Sequence, residues 1–106
     1  IEGVRAGSFS PDSTTPPEGF AALKQRVSET IEKLSAVDET EMEGLIGQTT
    51  AFVAGQMRIE FLAENFLLHF SQSNFHFHST TAYAILRMKG VELGKRDFMG
   101  SLPVKG

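Results

Sequence analysis

Cysteine and tryptophan are absent from this sequence of 106 residues, and tyrosine occurs once. Without cysteine the chain can form no disulfide, no thiolate metal site and no cysteine nucleophile. Its 10 basic and 13 acidic side chains give a formal net charge of -3, so the basic excess that nucleic-acid binding usually needs is missing. No apolar run approaches the ~20 residues of a membrane span. We therefore expect neither a nucleic-acid partner nor a membrane-inserted segment.

The residues that are present indicate one small folded domain. Hydrophobic residues make up 41% and charged residues 22% of the chain, a balance typical of folded proteins rather than disordered ones. This length allows a single domain over 1–106 and not two. The chain begins at Ile1, and no basic segment followed by an apolar run opens it. We therefore expect a processed or partial chain that resides in the cytoplasm.

The first half of the sequence predicts a loop followed by an amphipathic helix. Residues 1–17 contain glycine, proline and polar turn formers, which favour a loop or linker. A helix is predicted over 18–37, because apolar residues recur there at intervals of three and four. These residues are Phe20, Leu23, Val27, Ile31 and Leu34. The spacing places them in one stripe, which we expect to be buried.

Residues 49–61 change to the two-residue rhythm of a β-strand. Met57, Ile59 and Phe61 alternate with polar side chains, and residues 51–53 can pair with them across a short turn. We therefore predict a β-hairpin over this segment. It needs another element to pack on, because an isolated hairpin is marginal in water.

A long helix is predicted over 64–89, followed by a C-terminal tail over 90–106. The helical stretch contains no proline or glycine, and its apolar residues lie on most of its circumference rather than in one stripe. Such a helix is usually surrounded by other helices, and this chain has too few to surround it. We expect association to complete the core. The partner is either a second copy, as in a homo-oligomer such as a dimer, or a second polypeptide that supplies the missing helices.

Two segments carry a resemblance to a known family. Residues 74–87 read NFHFHSTTAYAILR and residues 90–100 read GVELGKRDFMG. They resemble the pattern NFxFHxTTAYxILR followed by GVxLGKxDFxG of a domain-of-unknown-function family in the DinB/YfiT-like superfamily. The resemblance implies a mainly α fold, the C-terminal part of a DinB-like up-down four-helix bundle with a β-hairpin between the last two helices. It also implies that family members carry further helices upstream of the position of Ile1.

The resemblance also implies a candidate function, a metal-dependent activity. Some DinB-like relatives bind a divalent metal through three histidines, two of them at i and i+4 on the last helix, and use it for thiol transfer. Here the corresponding pair is Asn74 and His78, and asparagine is a poor ligand for a transition metal. We therefore expect no cofactor. Should a divalent metal bind, His78 is the weak candidate ligand, and a partner chain would complete the site.

Four polar residues of the long helix form the candidate ligand-binding site. Asn74, His78 and Thr81 fall on one side of the predicted helix, and Tyr83 can donate its hydroxyl. They can line a pocket between helices, or they can form a buried polar network that only fixes how a neighbouring helix docks.

No catalytic constellation can be assembled from this sequence. It contains no nucleophile elbow with its histidine and acid, no phosphate-binding loop and no pair of catalytic carboxylates. No catalytic residue is therefore assigned. The expected function is a self-associating binding or structural module with a small-molecule pocket between helices. The alternative is a DinB-like metal-dependent thiol transferase whose metal site is degenerate or completed by a partner chain.

Overall fold

The structure is a computed structural model that describes residues 1–11 and 15–105. In chain order its elements are α1 (Glu2–Arg5), β1 (Ser8–Phe9), α2 (Gly19–Ser35), α3 (Glu39–Leu45), β2 (Thr49–Ala54), β3 (Met57–Leu62), α4 (Ala63–Asn65), a π-helical segment (Phe66–Ser71), α5 (Gln72–Met88) and α6 (Lys95–Met99). The chain divides into two compact units, Ile1–His69 and Phe70–Gly106. They are designated unit 1 and unit 2.

Unit 1 is built on a three-stranded mixed sheet in the order β1-β2-β3. β2 pairs antiparallel with β3, which places Phe52 opposite Ile59. It also pairs parallel with β1, which places Phe9 beside Phe52. The tight hairpin turn depends on Gly55, whose φ of 60° is the left-handed value that a type II′ turn requires at its first central residue. Strands that are distant in sequence thus share one sheet.

Aromatic rings form the core of unit 1 on one face of this sheet. Phe66 is only 4% exposed, and its ring centroid lies 5.7 Å from those of both Phe9 and Phe61. Phe9 in turn lies 6.0 Å from Phe52. Tilted and edge-on pairs at these separations are favourable for aromatic rings. All buried residues of the described chain belong to unit 1: Val4, Thr50, Ala51, Ala63 and Phe66.

Helix α1 connects the sheet with two other helices. It packs closely on β1, because a Cβ built at Gly3 would lie 2.7 Å from the Cβ of Phe9. The Nζ of Lys33 in α2 lies 3.1 Å from the Oε1 of Glu2. The guanidinium of Arg5 makes a two-pronged contact with Glu41 of α3, in which Nη2 donates to Oε2 at 2.9 Å.

Unit 2 consists of α5, α6 and the tail. α5 is followed by Gly90 with a φ of 87°, the left-handed conformation that commonly ends a helix. α6 starts with a local cap, in which the carboxylate of Asp97 accepts the backbone N–H of Gly94 at 2.8 Å. The rings of Tyr83 and Phe98 connect α6 to α5 with a centroid separation of 5.4 Å. No described residue of unit 2 is buried.

The prediction that this chain forms the C-terminal part of a four-helix bundle is wrong. A mixed sheet organises unit 1, and its hairpin lies between α3 and α4 rather than between the last two helices. The physical reason is visible at Phe66, which lies near the start of the long helical stretch and packs on rings from the sheet. Hydrophobic periodicity records that a residue is apolar without stating which element covers it. It therefore cannot separate a helix that packs on a sheet from one inside a bundle.

The predicted bounds of three segments compare directly with the observed elements. A helix is predicted over 18–37, and α2 lies there. The hairpin predicted over 49–61 coincides with the position of β2 and β3. The helical stretch predicted over 64–89 contains the π-helical segment and α5, with α4 at its start.

The two predicted irregular segments contain short elements. Residues 1–17 hold α1 and β1, and residues 90–106 hold α6. Residues 12–14 and 106, which belong to these two predicted segments, lie outside the described part of the chain.

Candidate functional site

The four predicted site residues all lie on α5, and the helix brings three of them to one side. Asn74, His78 and Thr81 are exposed, and their spacing of four and three places them along one helix face. The hydroxyl of Thr81 donates to the carbonyl of Phe77 at 2.7 Å, within its own helix. Among the described residues, no hydrogen bond joins Asn74 or His78 to another side chain. The three polar side chains are therefore exposed to solvent and are not hydrogen-bonded to one another.

Tyr83 lies apart from these three residues. Five positions separate it from His78, so its side chain leaves the helix roughly 140° away. Its half-buried ring packs on Phe98, and the guanidinium carbon of Arg87 lies 5.7 Å from the ring centroid, a cation–π contact. These contacts give Tyr83 a role in holding α6 to α5. The sequence singled out Tyr83 but carried no signal for its contact with Phe98.

The described residues offer no complete set of ligands for a divalent metal. Among the described residues, no group of three His, Asp or Glu side chains lies close enough together to hold an ion. His78 contacts the ring of its neighbour Phe77 at 5.3 Å, and the position one turn before it is Asn74, a weak ligand.

A shallow hollow on α5 overlaps the predicted site at one residue. It has a volume of about 310 Å³ and is lined by Thr80, Thr81, Ala84, Ile85 and Met88. Of the four predicted residues only Thr81 contributes to it. The hollow opens widely to solvent, whereas small-molecule sites enclose most of their ligand.

One unusual surface of the described chain is the apolar stripe of α2. Its members are the five residues that the periodicity identifies: Phe20, Leu23, Val27, Ile31 and Leu34. They are between 47% and 82% exposed. Sequence reasoning found this stripe but expected it to be buried. Regularly spaced apolar side chains along an exposed helix face are typical of surfaces that receive another helix.

Basic side chains border this stripe, and acidic ones lie behind it. Relative to Val27 at the centre of the stripe, Lys24 lies about 60° to one side and Arg26 about 100° to the other. Glu29 and Glu32 lie roughly 140° to 160° away, on the opposite side of the helix. All four charged side chains are exposed. The charged side chains nearest to the stripe are therefore basic, although the chain as a whole is acidic.

Ion pairs and hydrogen bonds lower the pKa of several carboxyl groups in unit 1. The hydrogen bond from Arg5 lowers the pKa of Glu41, and the hydrogen bond from Lys33 lowers the pKa of Glu2. The backbone N–H of Gly47 donates to the carboxylate of Glu64 at 2.9 Å, which lowers the pKa of that group. Each of these contacts joins separate segments of unit 1.

One buried polar group was not singled out by the sequence. Thr50 is completely buried on β2, where it lies opposite Phe61. Its Oγ1 has no hydrogen-bond partner among the described residues, and an unpaired buried hydroxyl is costly. Threonine in a strand carries no sequence signal that distinguishes the buried face from the exposed one.

Comparison with known proteins identifies one similarity. A family model described as "Domain of unknown function (DUF1993)" matches residues 3–99, nearly the whole chain. None of the curated proteins and none of the solved structures compared with the chain matches it. Among the described residues, no helix has both the length and the apolar character needed to cross a membrane.

Proposed function

The chain belongs to the DUF1993 family, a domain of unknown function, and we propose that it is a non-catalytic binding module. Its α2 face receives an amphipathic helix of a partner protein. The observation that carries this proposal is the exposure of the whole apolar stripe of α2. Single exposed apolar residues are ordinary on protein surfaces, whereas a continuous stripe of them usually marks an interaction surface.

The charges around the stripe specify the chemistry of the partner. Lys24 and Arg26 border the stripe on its two sides, so a helix with acidic side chains beside its own apolar face is electrostatically complementary. A second copy of α2 would bring basic borders against basic borders and is disfavoured for the same reason. The proposed occupant is therefore an amphipathic helix with acidic borders from another polypeptide.

The expectations about α5 stay predictions. A small-molecule site at Asn74, His78, Thr81 and Tyr83 is less favoured than the α2 surface, because three of these side chains project into solvent from a single helix. The DinB-like assignment and its metal-dependent thiol transfer likewise stay predictions. No contact among the described residues favours them over a binding module.

A peptide-binding experiment tests the proposal. The probes are two amphipathic helical peptides with the same apolar face, one with glutamate borders and one with lysine borders. Affinity is measured by fluorescence anisotropy for the wild type, for Val27→Glu in the stripe and for Ala21→Glu on another side of α2. Both substitutions add the same charge at exposed positions, and circular dichroism checks that both variants keep the helix content of the wild type.

We expect the glutamate-bordered peptide to bind the wild type and Ala21→Glu alike. Val27→Glu should bind it at least tenfold more weakly, because a charge then enters the apolar contact. The lysine-bordered peptide should bind less tightly than the glutamate-bordered one, and this difference should shrink as salt is added. Equal binding of both peptides, or equal binding by Val27→Glu and Ala21→Glu, would overturn the proposal.

A further inference from the structure

Strand β3 is an open edge of the sheet in unit 1. The strand order is β1-β2-β3, and no other strand in the described part of the chain pairs with the outer side of β3. Arg58, Ile59 and Glu60 are exposed along it. We propose that this edge pairs antiparallel with β3 of a second copy, so that two sheets join across a two-fold axis at Ile59. The inference goes beyond the proposed binding function and rests on a different surface.

The backbone register shows which groups the edge offers. The N–H of Ala63 donates to the carbonyl of Gln48 at 2.8 Å, in continuation of the β2–β3 ladder. Hydrogen-bonded pairs alternate with non-bonded pairs along an antiparallel ladder. Ala63 is in a hydrogen-bonded pair, so every second residue before it is as well. Residues 61, 59 and 57 therefore direct their backbone N–H and carbonyl groups to β2. Arg58 and Glu60 therefore direct their N–H and carbonyl groups to the open edge.

The side chains select one register of the dimer. When Ile59 lies opposite Ile59 of the second copy, Arg58 lies opposite Glu60 of that copy, and Glu60 opposite its Arg58. Both residues then meet as hydrogen-bonded pairs with opposite charges, which favours pairing across strands. A shift by two residues in either direction keeps the open backbone groups opposed. It would place Arg58 against Arg58 or Glu60 against Glu60, which is unfavourable.

The centre of the pairing is apolar. Ile59 is 43% exposed and faces its own symmetry mate in a non-bonded pair, the position where cross-strand side chains approach most closely. Within one chain, Arg58 Nη2 already lies 3.1 Å from Glu60 Oε1. The second copy adds a second opposite charge to each of these groups. The edge is therefore self-complementary in backbone, charge and apolar surface.

Charge exchange tests this register. The mass distribution of the full chain is measured by sedimentation velocity at increasing concentration, for the wild type, Arg58→Glu, Glu60→Arg and the double exchange. Lys105→Glu, in the exposed tail, is the control that changes net charge as much as Arg58→Glu does. Circular dichroism confirms that each variant folds, and Val27→Glu serves to separate this surface from the α2 surface.

We expect the wild type, Lys105→Glu and Val27→Glu to share one monomer–dimer equilibrium. Each single exchange should weaken the dimer about tenfold or more, since two pairs become like-charged. The double exchange should restore the dimer, and an equimolar mixture of Arg58→Glu with Glu60→Arg should form a heterodimer. A wild type that stays monomeric at the highest concentration, or a dimer that is indifferent to the single exchanges, would overturn the proposal. Loss of the dimer in Val27→Glu would show that the α2 face pairs two copies, and would contradict it as well.

Discussion

The two units of this chain differ in how much of themselves they bury. Unit 1 holds every buried residue of the described chain, including Phe66 at 4% exposure. Unit 2 holds none, and its α5 leaves large side chains such as Phe75 and Phe77 more than 60% exposed. Both units contain a 17-residue helix. The difference shows that helix length and apolar content do not by themselves produce a core.

Unit 1 differs from unit 2 because segments that are distant in sequence pair with or pack on the same sheet. β1 brings Phe9 beside Phe52, and the helical stretch after β3 adds Phe66. Aromatic rings from several parts of the chain thereby cover one another. In the described part of unit 2, the contact between Tyr83 and Phe98 joins α5 to α6. Most stability should therefore reside in unit 1.

The largest expected effect comes from truncation at the centre of the aromatic cluster. Phe66→Ala should lower the free energy of unfolding by about 3–5 kcal/mol, because it removes a buried ring and leaves a cavity. Phe75→Ala, which removes the same ring from an exposed position in unit 2, should change it by no more than about 0.5 kcal/mol. Urea unfolding followed by circular dichroism measures both. Similar losses in the two variants would erase the difference between the units.

A smaller effect is expected where α1 meets β1. Gly3→Ala should destabilise the protein by about 1–3 kcal/mol, because the new methyl group overlaps the Cβ of Phe9. Gly44→Ala makes the same change in α3, where no atom outside the local helix backbone lies within 4 Å of the new Cβ. It should stabilise by about 0.5–1 kcal/mol, since alanine favours a helix over glycine. Thermal unfolding of the two variants should shift in opposite directions, and a shared direction would argue against the close α1–β1 packing.

Removal of the unpaired hydroxyl should stabilise unit 1 modestly. Thr50→Val replaces the buried Oγ1 with a methyl group and should raise the free energy of unfolding by about 1 kcal/mol. Thr80→Val, an exposed counterpart in unit 2, should stay within about 0.5 kcal/mol of the wild type. Chemical denaturation measures both changes. Destabilisation by Thr50→Val would mean that the hydroxyl has a partner after all.

The smallest effect concerns acid pH. The pKa of Glu64 is lowered from its usual value of 4.5 by the Gly47 N–H. Its contribution to stability is therefore present above that value and is lost as the pH falls through the lower pKa of the folded state. Glu64→Gln should flatten the fall of the melting temperature below about pH 4.5. Glu43→Gln, whose carboxylate makes no hydrogen bond among the described residues, is the matched control that removes one carboxylate elsewhere in unit 1.

Local patterns predicted the positions of the longer elements. The spacing from Phe20 to Leu34 places α2, and the alternation from Met57 to Phe61 places the hairpin. Two-residue β1 carries no such pattern, because its pairing with β2 depends on residues far along the chain. The periodicity of the helices therefore predicts a helix bundle in place of a sheet-based core. It does not reveal that Phe66 packs on a sheet.

The candidate surfaces show the same limit of prediction from local sequence patterns. Helical spacing suffices to place Asn74, His78 and Thr81 on one side of α5. It cannot say whether a neighbouring element covers them, and in the structure they are exposed. Helical spacing likewise identifies the α2 stripe and predicts its burial, whereas its five side chains are exposed in the structure. Exposure depends on where other segments pack, which is a property of long-range contacts and not of local spacing.

Hydrogen exchange of the backbone amides tests the difference between the two units most directly. At neutral pH, the amides of β2 and its partners should exchange only through the rarest openings of the molecule. The amides of α5 from about residue 77 to 88 should exchange through openings of much lower free energy, because none of the described residues of unit 2 is buried. Equal protection of α5 and β2 would contradict the conclusion that the cohesive core belongs to unit 1 alone.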